Sequence, residues 1–95
     1  MWILRSTDAL KPYTIRLTPD AVRTIGRGPR ADFTVDAALV SRVHCSLSAS
    51  ATNLTVEDLK STNGLFVNDK RVGRSSLNIG DHLRLGRFEL VVSRE

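Results

Sequence analysis

Apolar and polar residues alternate along most of this chain with a period of two. Tyr13, Ile15 and Leu17 fall on one side of an extended segment and Thr14 and Arg16 on the other, and Val43, Cys45, Leu47 and Ala49 repeat the pattern. Because successive side chains of a strand point to opposite faces, this spacing predicts half-buried strands. No segment sustains a helical period. The strands predicted are 2–5, 13–17, 21–25, 32–35, 43–49, 54–58, 65–67, 71–72, 77–79, 82–85 and 88–93. The alanine-rich stretch 36–40 reads as loop, since it falls well short of the roughly 12 residues a self-supporting helix needs.

Turn chemistry separates these segments. Asn63-Gly64 favours positive φ, and Gly86-Arg87 has the glycine-first form of a tight II′ hairpin turn. About eleven short strands punctuated in this way indicate an all-β sandwich or barrel, in which loops distant in sequence meet at one end. Three loops are unusually polar: Gly26 to Arg30, Leu39 to Arg42, and Lys60 to Gly64. They are where chemistry would gather.

At 95 residues the chain has room for one small domain, read as 1–95, with little interior to spare for a deep cavity. Its formal net charge is +4, carried by eleven arginines against three lysines. Guanidinium groups present planar forks of donors suited to phosphate and carboxylate, so the arginine-led excess hints at an anionic partner, although a solvated surface explains +4 equally simply. The single Cys45 cannot form an internal disulfide; its alternation with Leu47 makes it a packing residue, in keeping with a reducing compartment. The opening apolar run is too short for a signal peptide, and none approaches the ~20 residues of a membrane span, so a soluble intracellular protein without a membrane role is expected.

Ser41 and His44 invite comparison with a nucleophile and its base. Three residues apart on an extended chain they would lie on the order of 10 Å apart, too far for proton transfer. No catalytic pair is expected, and two histidines with one cysteine offer no metal-binding spacing, so neither metal nor cofactor is predicted. Nucleic acid fits poorly as the main partner because the five aromatic residues, Trp2, Tyr13, Phe33, Phe66 and Phe88, fall mostly at core-facing positions rather than beside arginines. A basic nucleic-acid-binding domain and a scaffold or dimerisation domain stand as the alternatives; the sequence leaves the oligomeric state open. A small anion site fits better. Arg27, Ser41-Arg42 and Ser61-Thr62-Asn63-Gly64 supply guanidinium, hydroxyl and turn-amide donors from three loops.

Together, Gly26-Arg27, Ser41-Arg42-Val43-His44, Ser61-Thr62-Asn63-Gly64 and Asn68, followed by Leu77 to Gly86, resemble the signature of the forkhead-associated (FHA) domain in order and spacing. The resemblance implies a β-sandwich of two sheets, with about eleven strands and binding loops at one end, that binds phosphothreonine-containing partner proteins and catalyses nothing. It implies that Arg27, Ser41, Arg42 and Thr62 hold the phosphate and that Asn63 bonds the peptide backbone. Gly26, His44, Gly64 and Asn68 would be architectural. A domain opening at Met1-Trp2 also resembles the amino-terminal FHA domain of nibrin-like repair proteins, which implies a nuclear, DNA-damage setting; bacterial FHA modules working with serine/threonine kinases in the cytoplasm are similar as well.

Overall fold

The computed structural model describes residues 1–10 and 12–95. Eleven strands make up its regular structure: β1 (Trp2–Ser6), β2 (Thr14–Leu17), β3 (Val22–Gly26), β4 (Phe33–Thr34), β5 (Cys45–Ala49), β6 (Leu54–Asp58), β7 (Leu65–Val67), β8 (Lys70–Arg71), β9 (Arg74–Leu77), β10 (His82–Leu85) and β11 (Phe88–Arg94). One sheet runs β2-β1-β11-β10-β7-β8 and the other β4-β3-β5-β6-β9. Every pairing is antiparallel except β3 with β4, which run parallel at the edge of the second sheet. The predicted all-β sandwich is what the chain forms.

The period-two pattern explains the packing. Ile15 and Leu17 of β2, Leu4 of β1 and Leu90 and Val92 of β11 face inward from one sheet, and Ile25, Cys45, Leu47, Leu54 and Val56 meet them from the other. Such burial stabilises by about 25 cal/mol per Å² of apolar surface, which places most of the folding free energy in this one layer. Tyr13 meets Phe88 edge to face, with ring centroids 5.4 Å apart.

Two segments depart from expectation. The ninth strand is Arg74–Leu77 rather than 77–79: Arg74, Ser75 and Ser76 pair with Glu57, Val56 and Thr55 at the sheet edge, and Ile79 is 64% exposed in the following turn. A strand with one face in water tolerates serines, so the apolar run there misled. The fifth strand begins at Cys45 rather than Val43. Val43 is half-buried and stands in a loop, whereas its neighbour His44 is fully buried.

Register places the functional end. Ile25 lies opposite Cys45, and Cys45 opposite Asp58, so β3 ends, β5 begins and β6 ends on one edge of the sheet. The loops 27–32, 35–44 and 59–64 therefore emerge side by side. At their root is Gly26, where an added Cβ would press into the Arg42 carbonyl, with the carbonyl carbon at 2.6 Å and Val43 Cα at 2.8 Å. Backbone cannot swing aside as a side chain can. Gly26→Ala should destabilise the fold by roughly 2 kcal/mol or more, read as a lower urea midpoint with unchanged slope. Gly73→Ala, where nothing lies within 4 Å, should stay within about 0.5 kcal/mol of the parent.

Candidate functional site

The three loops are tied to one another mostly through backbone. Arg27 N–H donates to the Ser41 carbonyl and Gly28 N–H to the Arg42 carbonyl, both at 2.9 Å, and His44 N–H donates to the Ile25 carbonyl at 2.8 Å. Leu59 N–H closes the third loop onto the His44 carbonyl at 2.9 Å. Within that loop, Ser61 Oγ donates to Asp58 at 2.5 Å and accepts from Gly64 N–H at 3.0 Å, which folds 58–64 into a tight turn. Gly64 completes the turn with φ of +89°, a conformation that favours glycine, and an added Cβ would lie a tight 3.0 Å from Arg71 Nε.

His44 holds the loops from beneath. Its Nδ1 accepts the Ser41 N–H at 3.0 Å, and its Nε2 lies 2.8 Å from the Gly64 carbonyl, which requires the ring proton on Nε2. The ring is neutral in this arrangement. Ser41 and His44 are thus far closer than an extended chain would allow, because 41–44 bends before β5 begins. They still do not form a catalytic pair: the imidazole bonds the Ser41 backbone rather than its hydroxyl, and both ring nitrogens are occupied.

Above the histidine opens a groove of about 520 Å³ lined by Arg27, Leu39 to Val43, Lys60, Thr62 and Asn63. It brings together Arg27, Ser41, Arg42, Thr62 and Asn63, the five residues marked for ligand contact in the sequence. Arg27 Nε donates to the Val40 carbonyl at 3.2 Å, aiming the guanidinium and leaving its terminal nitrogens without a partner among the described residues. Ser41 Oγ accepts the Thr62 N–H at 3.1 Å, so its own proton is available to a ligand. Asn63 Nδ2 donates to the Leu39 carbonyl at 3.0 Å, which fixes the side chain across the groove and leaves its Oδ1 and second N–H uncommitted. The side chains of Arg42 and Lys60 make no hydrogen bond or ion pair with another described residue. No carboxylate lines the groove.

Asn68 lies away from it. Its Oδ1 accepts from His82 N–H at 2.9 Å and its Nδ2 donates to Asp81 at 3.0 Å, joining the β7–β8 turn to the start of β10. Sequence reasoning assigned no role to Lys60, although it counted that residue in the third polar loop. Leu39 and Lys60 both adopt left-handed backbone, with φ of +72° and +57°. Nothing in a leucine or lysine signals this, and such strain, of order 1 kcal/mol for each residue, gathers at binding loops.

The family model for the FHA domain matches residues 23–86, from β3 through the β10–β11 turn. The chain belongs to the FHA domain family. Among curated relatives, the glycogen accumulation regulator GarA of Mycobacterium tuberculosis is 35% identical over 75 residues, which is 79% of this chain and 46% of GarA. The chain therefore spans less than half the length of that relative. Among solved structures, the FhaA FHA domain complexed with the intracellular domain of Rv3910 superposes with a TM-score of 0.89 at 33% identity, covering 98% of this chain and all of that one. A structure solved in work on phosphothreonine-dependent FHA domain interactions gives 0.86 at 33% identity, covering 99% and 96%. Mycobacterium tuberculosis EmbR in complex with a low-affinity phosphopeptide gives 0.82 at 31% identity, covering 97% of this chain and 24% of that one. None of these supports the nibrin-like, nuclear or DNA-repair expectation. Among the described residues no helix is long and apolar enough to cross a membrane.

Beneath the FHA loops, Cys45 is fully buried, and burial, followed by the Asp58 carboxylate beside it, pushes its thiol up to about 12. In the native protein Cys45 should resist a disulfide reagent at pH 8 and react fully once unfolded, because the thiolate is the nucleophile. A folded-state value raised above the unfolded one means that the protonated thiol's stabilisation is complete below about pH 9 and is lost as pH rises toward 12. His44→Ala should cost about 2 to 5 kcal/mol, since it leaves a cavity and strips partners from Ser41 N–H and the Gly64 carbonyl. Thermal unfolding would read this as a markedly lower midpoint.

Proposed function

We propose that the groove binds phosphothreonine peptides and that the protein recruits phosphorylated partners in kinase-dependent signalling. The observation that carries this reading is the unspent donor set: Arg27, Arg42 and Lys60 converge with the Ser41 hydroxyl, and no acid neutralises them. A phosphate offers three acceptor oxygens and close to two negative charges, and it takes several such donors at once. In this reading Arg27, Ser41, Arg42 and Thr62 hold the phosphate, Asn63 bonds the peptide backbone, Gly26, His44 and Gly64 keep the loops in place, and Asn68 is architectural at the β7–β8 turn. The relation to GarA and the phosphopeptide complex of EmbR support the assignment.

The role is one of binding rather than catalysis. With both nitrogens of His44 bonded to backbone, Ser41 has no base, and the groove is open to water. The relatives point to bacterial cytoplasmic signalling rather than nuclear repair. The domain acts as one unit spanning residues 1–95.

Calorimetric titration with a phosphothreonine peptide selected from an oriented library tests the reading. Arg27→Ala should weaken binding by about 10- to 150-fold, the equivalent of roughly 1.5 to 3 kcal/mol for a charge-assisted contact. Arg27→Lys keeps the charge but loses the Nε bond to Val40, and should fall between. Equal binding of phosphorylated and unphosphorylated peptides would sink the proposal.

A further inference from the structure

Positive charge is not spread evenly over the two faces of the sandwich. Register sets three rows across the outside of the six-stranded sheet: Arg16 beside Ile3 and Ser93, Thr14 beside Arg5, Val91 and His82, and Glu89 beside Arg84, Phe66 and Arg71. Four arginines thus share this face with one carboxylate, Glu89, which pairs with His82 at 3.2 Å. The two outer rows through β3, β5, β6 and β9 are rich in serine and threonine instead, and hold one arginine opposite one glutamate, Arg74 and Glu57.

Little neutralises the arginines of the six-stranded face. The side chains of Arg16 and Arg71 are exposed and have no hydrogen-bond or ion-pair partner among the described residues. Arg5 Nη1 donates to a neutral group, Ser93 Oγ, at 3.3 Å. Arg84 lies 3.9 Å from Asp69, a carboxylate 90% exposed, and such a pair contributes little in water.

An aromatic residue is set among these charges. Phe66 stands outside the core cluster, between Arg84 and Arg71 in its row, so it departs from the expectation that the aromatic residues lie away from the arginines. The Arg84 guanidinium lies 4.1 Å from the centre of the Phe66 ring, and its Nη1 donates to the Gly86 carbonyl at 3.1 Å. A flat cation is thereby held in a fixed plane. The large apolar side chains that are exposed, Leu10, Val22, Leu39, Leu59 and Ile79 among them, all lie off this face.

That combination discriminates among anionic partners. A carboxylate-rich segment would engage the charges and gain nothing from the aromatic pair, and a lipid surface would need protruding apolar side chains. A nucleic-acid strand uses both features, the guanidinium groups on its phosphates and a flat arginine or aromatic plane on a base. We propose that this face binds single-stranded nucleic acid, with Arg16, Arg5, Arg84 and Arg71 following the backbone from β2 to β8 and the Arg84–Phe66 pair stacking on a base. The track crosses six strands, a width of about 24 Å. None of these residues lines the phosphothreonine groove, so the inference stands apart from that reading.

Fluorescence anisotropy of the 95-residue chain with a labelled oligothymidylate of about 15 nucleotides tests it. Affinity should fall steeply with salt. Arg16→Ala and Arg71→Ala should each lower the slope of log affinity against log salt by about 0.7, and together weaken binding by roughly tenfold. Arg84→Lys keeps the charge and removes the plane, so it should weaken binding about three- to tenfold with the slope unchanged. Urea midpoints equal to the parent's would show that the variants fold. No binding by the parent at low salt, undiminished affinity in the double variant, or an Arg84→Lys variant that binds as the parent does would overturn the proposal. So would equal binding of labelled polyglutamate, which would make the face a receptor for acidic protein segments, or a preference for phosphatidylglycerol vesicles.

Discussion

The binding end of this molecule depends on one buried imidazole. His44 accepts a hydrogen bond from the Ser41 N–H on one side and donates one to the Gly64 carbonyl on the other, and so couples the loop that ends at His44 to the 59–64 loop. Either partner left unpaired in a site closed to water would cost about 1 to 3 kcal/mol. The Ser41 hydroxyl and the Thr62 amide are consequently held 3.1 Å apart without either needing a ligand to organise it. A lysine or arginine could not take this position, having no acceptor for the Ser41 N–H, and a carboxylate could not donate to Gly64. A neutral imidazole, with one acceptor and one donor on separate edges of a rigid ring, spans the gap.

Backbone bonding between loops has an electrostatic consequence. Because Arg27, Gly28, His44 and Leu59 satisfy their amides within the fold, the long cationic side chains are not needed to hold the loops and can point outward. Arg27 is the intermediate case: its Nε anchors it to Val40 while its terminal nitrogens stay available. The division assigns stability to the backbone and recognition to the side chains. It accounts for surface positions that tolerate Arg42, Lys60 and Arg30 together without a neutralising acid, at a cost in mutual repulsion that water and salt moderate.

Most of the sandwich was legible because a two-sided strand has to alternate, and the alternation of β2, β5 and β6 is nearly unbroken. The errors arose where that constraint lapses. At β9 a single buried residue, Leu77, ends a strand otherwise made of arginine and serines, so an edge strand resembled a loop and the exposed Ile79 beyond it resembled a strand. At 43–44 the apolar residue faces the groove and the polar one is buried, an inversion that the bonds of His44 explain but that period-two reasoning cannot foresee. The candidate residues were found through order and spacing, and register shows why such distant segments converge. The left-handed backbone of Lys60 and Leu39 was not foreseen because it is imposed by neighbouring loops and leaves no mark on residue type.

The strain at Leu39 and Lys60 bears on how tightly the groove can hold a ligand. Leu39 is kept left-handed while its carbonyl takes the Asn63 amide and Gly86, in the β10–β11 turn, packs close enough that a Cβ there would lie 2.7 Å from that same oxygen. The opposite sheet thus presses the loop into position, and the core supplies the free energy that keeps it there. Ordering an interface on binding costs about 0.5 to 1.5 kcal/mol for each immobilised side chain. Here the serine, the asparagine and one edge of Arg27 are ordered in advance, which leaves chiefly Arg42 and Lys60 to be fixed by the ligand. Affinity in such a groove is limited less by disorder in the protein than by the extended peptide, whose ordering falls on the few contacts around the phosphate. Recognition concentrated at one dianionic group is the expected result.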